Sequence, residues 1–239
     1  MSDQIPFYPK PRSERVSSNI TGLPRLVWWR KNIRLLFKWL SIIVVSMCLR
    51  LDKCGLENLP KQGPALIVGN HLGDADLIVG MAISPAVNVE VLAKSELYEF
   101  PILGKVLDIY GVIWIHRGQP DRRAIQSVLL GLKEGRMIAI APEGRESLTG
   151  SMEEGTDGAA YIALKADVPI IPVTVTGTEN TQVFGNLKRL RKTNVSLTVG
   201  EPFQLKTMSN QRESVKAGTE TIMRILANQL PLSYRGEYL

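Results

Sequence analysis

Short apolar runs recur along the chain at 65–69, 87–93, 112–115, 136–141, 170–175 and 194–199, each brief and rich in Val and Ile, as buried strands are. Segments with helical spacing fill the gaps, at roughly 75–83, 96–108, 120–134, 156–166 and 209–229. Strands that alternate with helix-length segments predict an α/β fold over residues 54–239, a central mixed sheet flanked by helices. There is no internal repeat or low-complexity tract. The tail after residue 229 reads as a surface segment.

Upstream of residue 54 the pattern breaks twice. Residues 1–22 are polar and carry Pro6, Pro9 and Pro11, which predicts a flexible or extended lead-in. Residues 23–53 then hold three of the four tryptophans (Trp28, Trp29 and Trp39) among Leu, Ile, Val and Phe, interleaved with Arg25, Arg30, Lys31, Arg34 and Lys38. The strongly apolar part, Trp39 to Leu49, is 11 residues long, whereas a membrane span needs about 20. Tryptophans, interleaved cations and a short apolar end predict a helical segment at a membrane interface. The alternative is an amphipathic helix packed on the domain.

Composition narrows the classes. With 44% hydrophobic and 22% charged residues, global disorder is excluded. A net charge of +6 favours anionic partners, either a membrane surface or a phosphorylated small molecule. Nucleic acid is not expected, because the cations lie beside tryptophans in an apolar segment and no nucleic-acid module is present. The basic run Lys188-Arg189-Leu190-Arg191-Lys192 fits either anionic head groups or a solvated loop. Cys48 and Cys54 match no metal-ligand spacing and no disulfide framework, which suits a reducing compartment. No signal-peptide pattern opens the chain, so the expected location is the cytoplasmic face of a membrane, held monotopically or peripherally.

Four stretches carry candidate chemistry. In Val68-Gly69-Asn70-His71-Leu72-Gly73-Asp74-Ala75-Asp76, an apolar run delivers one of only two histidines to a loop, and Asp74 or Asp76 can orient it. An imidazole so placed suits a general base. Gly111 to Gly118 is a strand pattern ending in His116 and Arg117, and the Arg117 fork can grip a phosphate or carboxylate. In Ala141-Pro142-Glu143-Gly144-Arg145-Glu146-Ser147, Gly144 lets backbone approach a ligand and Arg145 adds fixed positive charge. Glu143 can hold that charge or a hydroxyl. Asp167 to Val173 carries two prolines that bracket a strand start, a structural rather than chemical pattern.

Together these stretches resemble the glycerolipid acyltransferase family, in its 1-acylglycerol-3-phosphate acyltransferase branch. His71 and Asp76 match that family's His-x4-Asp block, and Gly111 to Arg117 looks like its second block. Ala141 to Ser147 is similar to the third block, commonly Phe-Pro-Glu-Gly-Thr-Arg-Ser, and Val168 to Val173 to the fourth. The resemblance covers about residues 56–205. It implies acyl transfer from a thioester, of acyl-CoA or acyl carrier protein, to a lysophospholipid hydroxyl, giving phosphatidic acid when the acceptor is 1-acylglycerol-3-phosphate. His71 would be the base and Asp76 its partner, with Arg117, Glu143, Gly144 and Arg145 on the acceptor side; no cofactor or metal is implied. Membrane lipids are the expected partners. In this chain Arg145 stands where the family commonly has threonine, Glu146 where it has arginine, and His116 where it often has aspartate. These departures leave two alternatives, a non-phosphorylated acceptor or a catalytically weak lipid-binding protein of the same fold.

Overall fold

A computed structural model of the chain describes residues 22–85, 88–116 and 121–239. The lead-in, apart from residue 22, and Arg117 therefore lie outside the described residues.

Among the described residues seven strands form one sheet: β1 (Leu49–Cys54), β2 (Ala65–Gly69), β3 (Val89–Lys94), β4 (Ile113–Ile115), β5 (Met137–Ile140), β6 (Ile170–Thr176) and β7 (Thr193–Val199). Their order across the sheet is β1-β7-β6-β2-β5-β3-β4. All neighbours are parallel except β6 and β7, so the sheet is mixed, as expected. Parallel neighbours need helical crossovers, and these cover both faces. Among the described residues the α-helices are α1 (Trp28–Cys48), α2 (Ala75–Ile83), α3 (Leu103–Tyr110), α4 (Arg122–Lys133), α5 (Gly158–Ala166), α6 (Asn180–Lys188) and α7 (Gln211–Gln229).

Side-chain alternation along the strands separates two cores. Leu66, Val68, Ile138 and Ile170 point to the face covered by α4, α5 and α7. Ala65, Met137, Ile171 and Val175 point the other way, against α1 and α2. Adjacent residues such as Ala65 and Leu66 thus serve opposite cores, as a period of two requires.

The segment 23–53 divides into a helix and a strand. Residues 49–52 alternate apolar and polar side chains, and residues 49–54 pair in parallel with β7 from Leu49↔Thr193 to Cys54↔Thr198. A boundary at residue 53 therefore falls inside β1. The helical part, α1, is bolted to the body by a buried ionic cluster. The Arg34 guanidinium grips both Glu90 oxygens, at 3.1 and 2.7 Å, and donates to the Tyr110 and Gly111 carbonyls. Arg136 reaches the same carboxylate at 2.9 Å and the Pro24 carbonyl at 2.7 Å. Glu90 is fully buried, so each charge in the cluster depends on the others for compensation.

The opposite side of α1 is apolar and open to solvent, with Trp28 at 75% exposure, Leu36 at 56%, Trp39 at 63% and Met47 at 69%. An ordinary surface helix turns its apolar stripe inward, and this one has apolar residues outward as well. Among the described residues no helix is long and apolar enough to cross a membrane. The basic run begins at the end of α6, and its Lys192 ammonium donates to the Ser46 carbonyl in the last turn of α1.

Candidate active site

β2 lies near the middle of the sheet, flanked by β5 and β6, so three chain segments leave the same edge side by side. Carboxyl ends of parallel strands are where α/β sheets place their ligands. His71 stands two residues past the end of β2. The exit is held by Asn70, whose side-chain amide donates to the Val175 carbonyl and accepts from the Val175 amide, both at 2.9 Å. It takes over the ladder that β2 has just left, so the main chain can turn out of the sheet while β6 stays paired.

The turn brings Asp76, in the first turn of α2, back onto the loop. Its Oδ2 accepts from the Leu72 and Gly73 amides at 2.7 and 3.1 Å and sits 2.8 Å from His71 Nδ1. A carboxylate only accepts, so Nδ1 carries the hydrogen and Nε2 carries the lone pair of the neutral ring. Asp74, the other candidate, is exposed, and it is its backbone amide that is engaged, by Asn180 Oδ1 at 3.0 Å. The geometry joins His71 to Asp76.

The loop after β5 closes the other side. The Ser147 amide donates to the His71 carbonyl at 2.8 Å. Glu143, 6% exposed, accepts from the Glu153 amide at 2.8 Å and from the His71 amide at 3.4 Å. Its carboxyl thus spans the two loops. Burial pushes it up from the ordinary 4.5 to about 7, against the opposing pull of those two amides. Gly144 has φ near +75°, the left-handed conformation that a side chain resists, and its amide closes a turn on the Ala141 carbonyl.

Arg145 points into solvent, and its guanidinium is paired with Glu153 Oε2, at 2.9 Å from Nε and 2.6 Å from Nη2. Glu153 Oε1 takes the Leu148 amide, and this bond together with Arg145 holds the Glu153 carboxyl below its usual value. Glu146 accepts from the Asn180 side chain at 2.8 Å. The structure therefore brings His71, Asp76, Glu143, Gly144 and Arg145 to one region, and adds Asn70, Glu153 and Asn180. None of these three belongs to a periodic pattern; only the position of Asn70, first polar residue after an apolar strand, signals a role. Among the described residues no group of three His, Cys, Asp or Glu side chains is placed to hold a metal ion.

The second histidine repeats the dyad at the sheet margin. His116 Nδ1 lies 3.0 Å from Asp121 Oδ2, which also accepts the His116 amide, while Asp121 Oδ1 caps α4 through the Arg123 and Ala124 amides.

The acyltransferase family model matches residues 50–176, more than half of the chain, running in chain order from within β1 to the end of β6. The chain belongs to the acyltransferase family. Its relatives include a 1-acyl-sn-glycerol-3-phosphate acyltransferase of Borreliella burgdorferi, 31% identical over 152 residues that cover 59% of this chain and 60% of that one. A chloroplastic 1-acyl-sn-glycerol-3-phosphate acyltransferase of Arabidopsis thaliana is 27% identical over 167 residues, 69% of this chain and 46% of that protein. The chain thus spans about half to three-fifths of the length of these curated relatives. The crystal structure of the 1-acyl-sn-glycerophosphate acyltransferase PlsC from Thermotoga maritima superposes with a TM-score of 0.64, covering 84% of this chain and 80% of that one at 24% identity. At that identity the likeness speaks for the fold, and the acyltransferase architecture found here is the same mixed sheet with helices on both faces.

Proposed function

We propose that this chain moves an acyl group from a thioester, acyl-CoA or acyl carrier protein, to the free hydroxyl of a lysophospholipid. 1-Acylglycerol-3-phosphate is the proposed acceptor and phosphatidic acid the product. The observation that carries the proposal is the 2.8 Å contact between His71 Nδ1 and Asp76, set at the centre of a sheet whose family match covers both residues.

A hydroxyl is a poor nucleophile at neutral pH, so its proton must leave as it attacks. With Nδ1–H given to Asp76, Nε2 takes that proton while the hydroxyl oxygen bonds to the thioester carbonyl carbon. Asp76 stabilises the imidazolium that forms and keeps the ring in one tautomer. The tetrahedral intermediate collapses by breaking the carbon–sulfur bond, and the imidazolium returns the proton to the departing thiolate. Ester and thiol are the products, and His71 is restored.

Arg117 and Arg145 are proposed to receive the acceptor's anionic head, and Gly144 to let the backbone approach it. The proposed location is the cytoplasmic face of a membrane, with the apolar outward face of α1 in the lipid interface and its cations at anionic head groups. A second reading, a phosphate-free lipid acceptor, is favoured by one feature: Arg145 is already paired with Glu153, and Glu146 adds negative charge beside it.

Thiol release by the purified full chain, with acyl-CoA and a panel of lysolipids, tests both readings. The proposal predicts release with lysophosphatidic acid well above that with phosphate-free acceptors; the reverse order supports the second reading. Binding of lysolipid with no thiol released from any donor would overturn acyl transfer.

A further inference from the structure

The loop that carries His71 and the loop that carries Arg145 are joined by a residue belonging to neither. Asn180 opens α6, four positions beyond the end of the family match at residue 176. Its Oδ1 accepts the Asp74 amide at 3.0 Å, and its Nδ2 donates to Glu146 Oε1 at 2.8 Å. The packing beneath is close. A Cβ at Gly73 would stand 2.4 Å from the Thr178 carbonyl and 2.8 Å from Asn180 Oδ1, so the histidine loop lies flat against the chain leaving β6. His71 is thus bracketed. Asn70, one residue before it, is tied to Val175, and Asp74, three residues after it, is tied to Asn180. Between those ties the loop folds around the Asp76 carboxylate.

We propose that Asn180 is a positioning residue for the His71–Asp76 dyad, and that Glu146 is its anchor rather than a contact to the acceptor. A side-chain amide has one acceptor and two donors, and here both ends are used to cross-link two separate loops. Glu146 stands where the family pattern commonly has arginine, which could not accept this bond. The inference rests on the reading of His71 as the base. It gives the off-pattern residue a job within the protein itself.

The test uses the full chain with Asn180→Ala, Asn180→Asp, Glu146→Gln and the pair Asn180→Asp/Glu146→Gln. Misplacing a reacting group by about 1 Å can cost about 10²-fold. Asn180→Ala is therefore expected to lower kcat by about 10- to 10²-fold with little change in the KM for the thioester. Asn180→Asp sets a carboxylate against Glu146 and should lose at least as much. The paired variant restores the bond with its donor reversed, and should recover most of kcat. A readout free of substrate comes from the imidazole NMR signals, since the chain has only two histidines. Asn180→Ala should shift the His71 signals and leave those of His116 in place. If Asn180→Ala fails to fold, the Asn180→Asp series carries the same test. Unchanged kcat together with unchanged His71 signals overturns the clamp, as does a paired variant no better than Asn180→Asp alone. Failure of the unmodified protein to transfer acyl groups at all would strike the base reading instead, and the NMR signals would still decide the clamp.

Discussion

His71 and His116 have the same spacing to an aspartate and the same Nδ1 to Oδ2 contact, at 2.8 and 3.0 Å, yet they sit in different company. Asp121 divides its oxygens between His116 and the amino end of α4, so that dyad doubles as a helix cap. It stands at the end of β4, an edge strand of the sheet, whose neighbour among the described strands is β3. His71 follows β2, and both flanking strands send loops to it: Ser147 and Glu143 from one side, and the segment from Val175 to Asn180 from the other. A histidine–aspartate contact alone therefore says little about chemistry. What distinguishes the first pair is that three segments converge on it.

The largest expected effect separates the two histidines. General base catalysis is worth about 10²–10⁴-fold, so His71→Ala should lose at least that much turnover while staying folded, and His116→Ala should turn over near the unmodified rate. Equal losses would erase the distinction. Next come the aspartates. Asp76→Asn replaces an acceptor by an amide that can donate to Nδ1 and favours the wrong tautomer, with an expected fall of about 10²-fold or more in kcat. Asp121→Asn should leave kcat near normal.

Glu143 gives a smaller, pH-dependent effect that belongs to the His71 side alone. Its carboxyl holds a proton more tightly in the folded chain, near 7, than at the ordinary 4.5. Its contribution to stability is therefore complete below about 4.5 and is lost as pH rises to about 7, up to about 3 kcal/mol across the window. Urea midpoints measured over that range should fall less steeply in Glu143→Gln. The smallest effect belongs to the other side, where Asp121→Ala removes a helix cap and should cost about 1 kcal/mol in stability with kcat preserved.

Much of this arrangement is legible in the sequence, for identifiable reasons. The apolar run 65–69 ends where β2 ends, and the helix at 75–83 starts at Ala75, so the position of His71 on a loop between them follows from local pattern. β1 is hidden in the sequence because its six residues, of which only the first four alternate, directly follow a helix of 21 residues with an apolar end. α6 has no buried residue and a glycine at 185, and its apolar residues Val183, Phe184 and Leu187 span little more than one turn, too short a stripe to betray it. The ties of Asn70 to Val175 and of Asn180 to Asp74 and Glu146 join residues distant in sequence, and nothing in either neighbourhood announces them. The same is true of Glu153, whose pairing with Arg145 depends on a turn eight residues long.

The claim that His71 is the base is tested most directly by chemical rescue of His71→Ala. Added imidazole should restore thiol release from acyl-CoA in proportion to its concentration, and substituted imidazoles should rescue more strongly as their basicity rises. A His71→Ala protein that turns over like the unmodified chain without any imidazole would contradict the account, as would a loss and rescue that belong to His116→Ala instead.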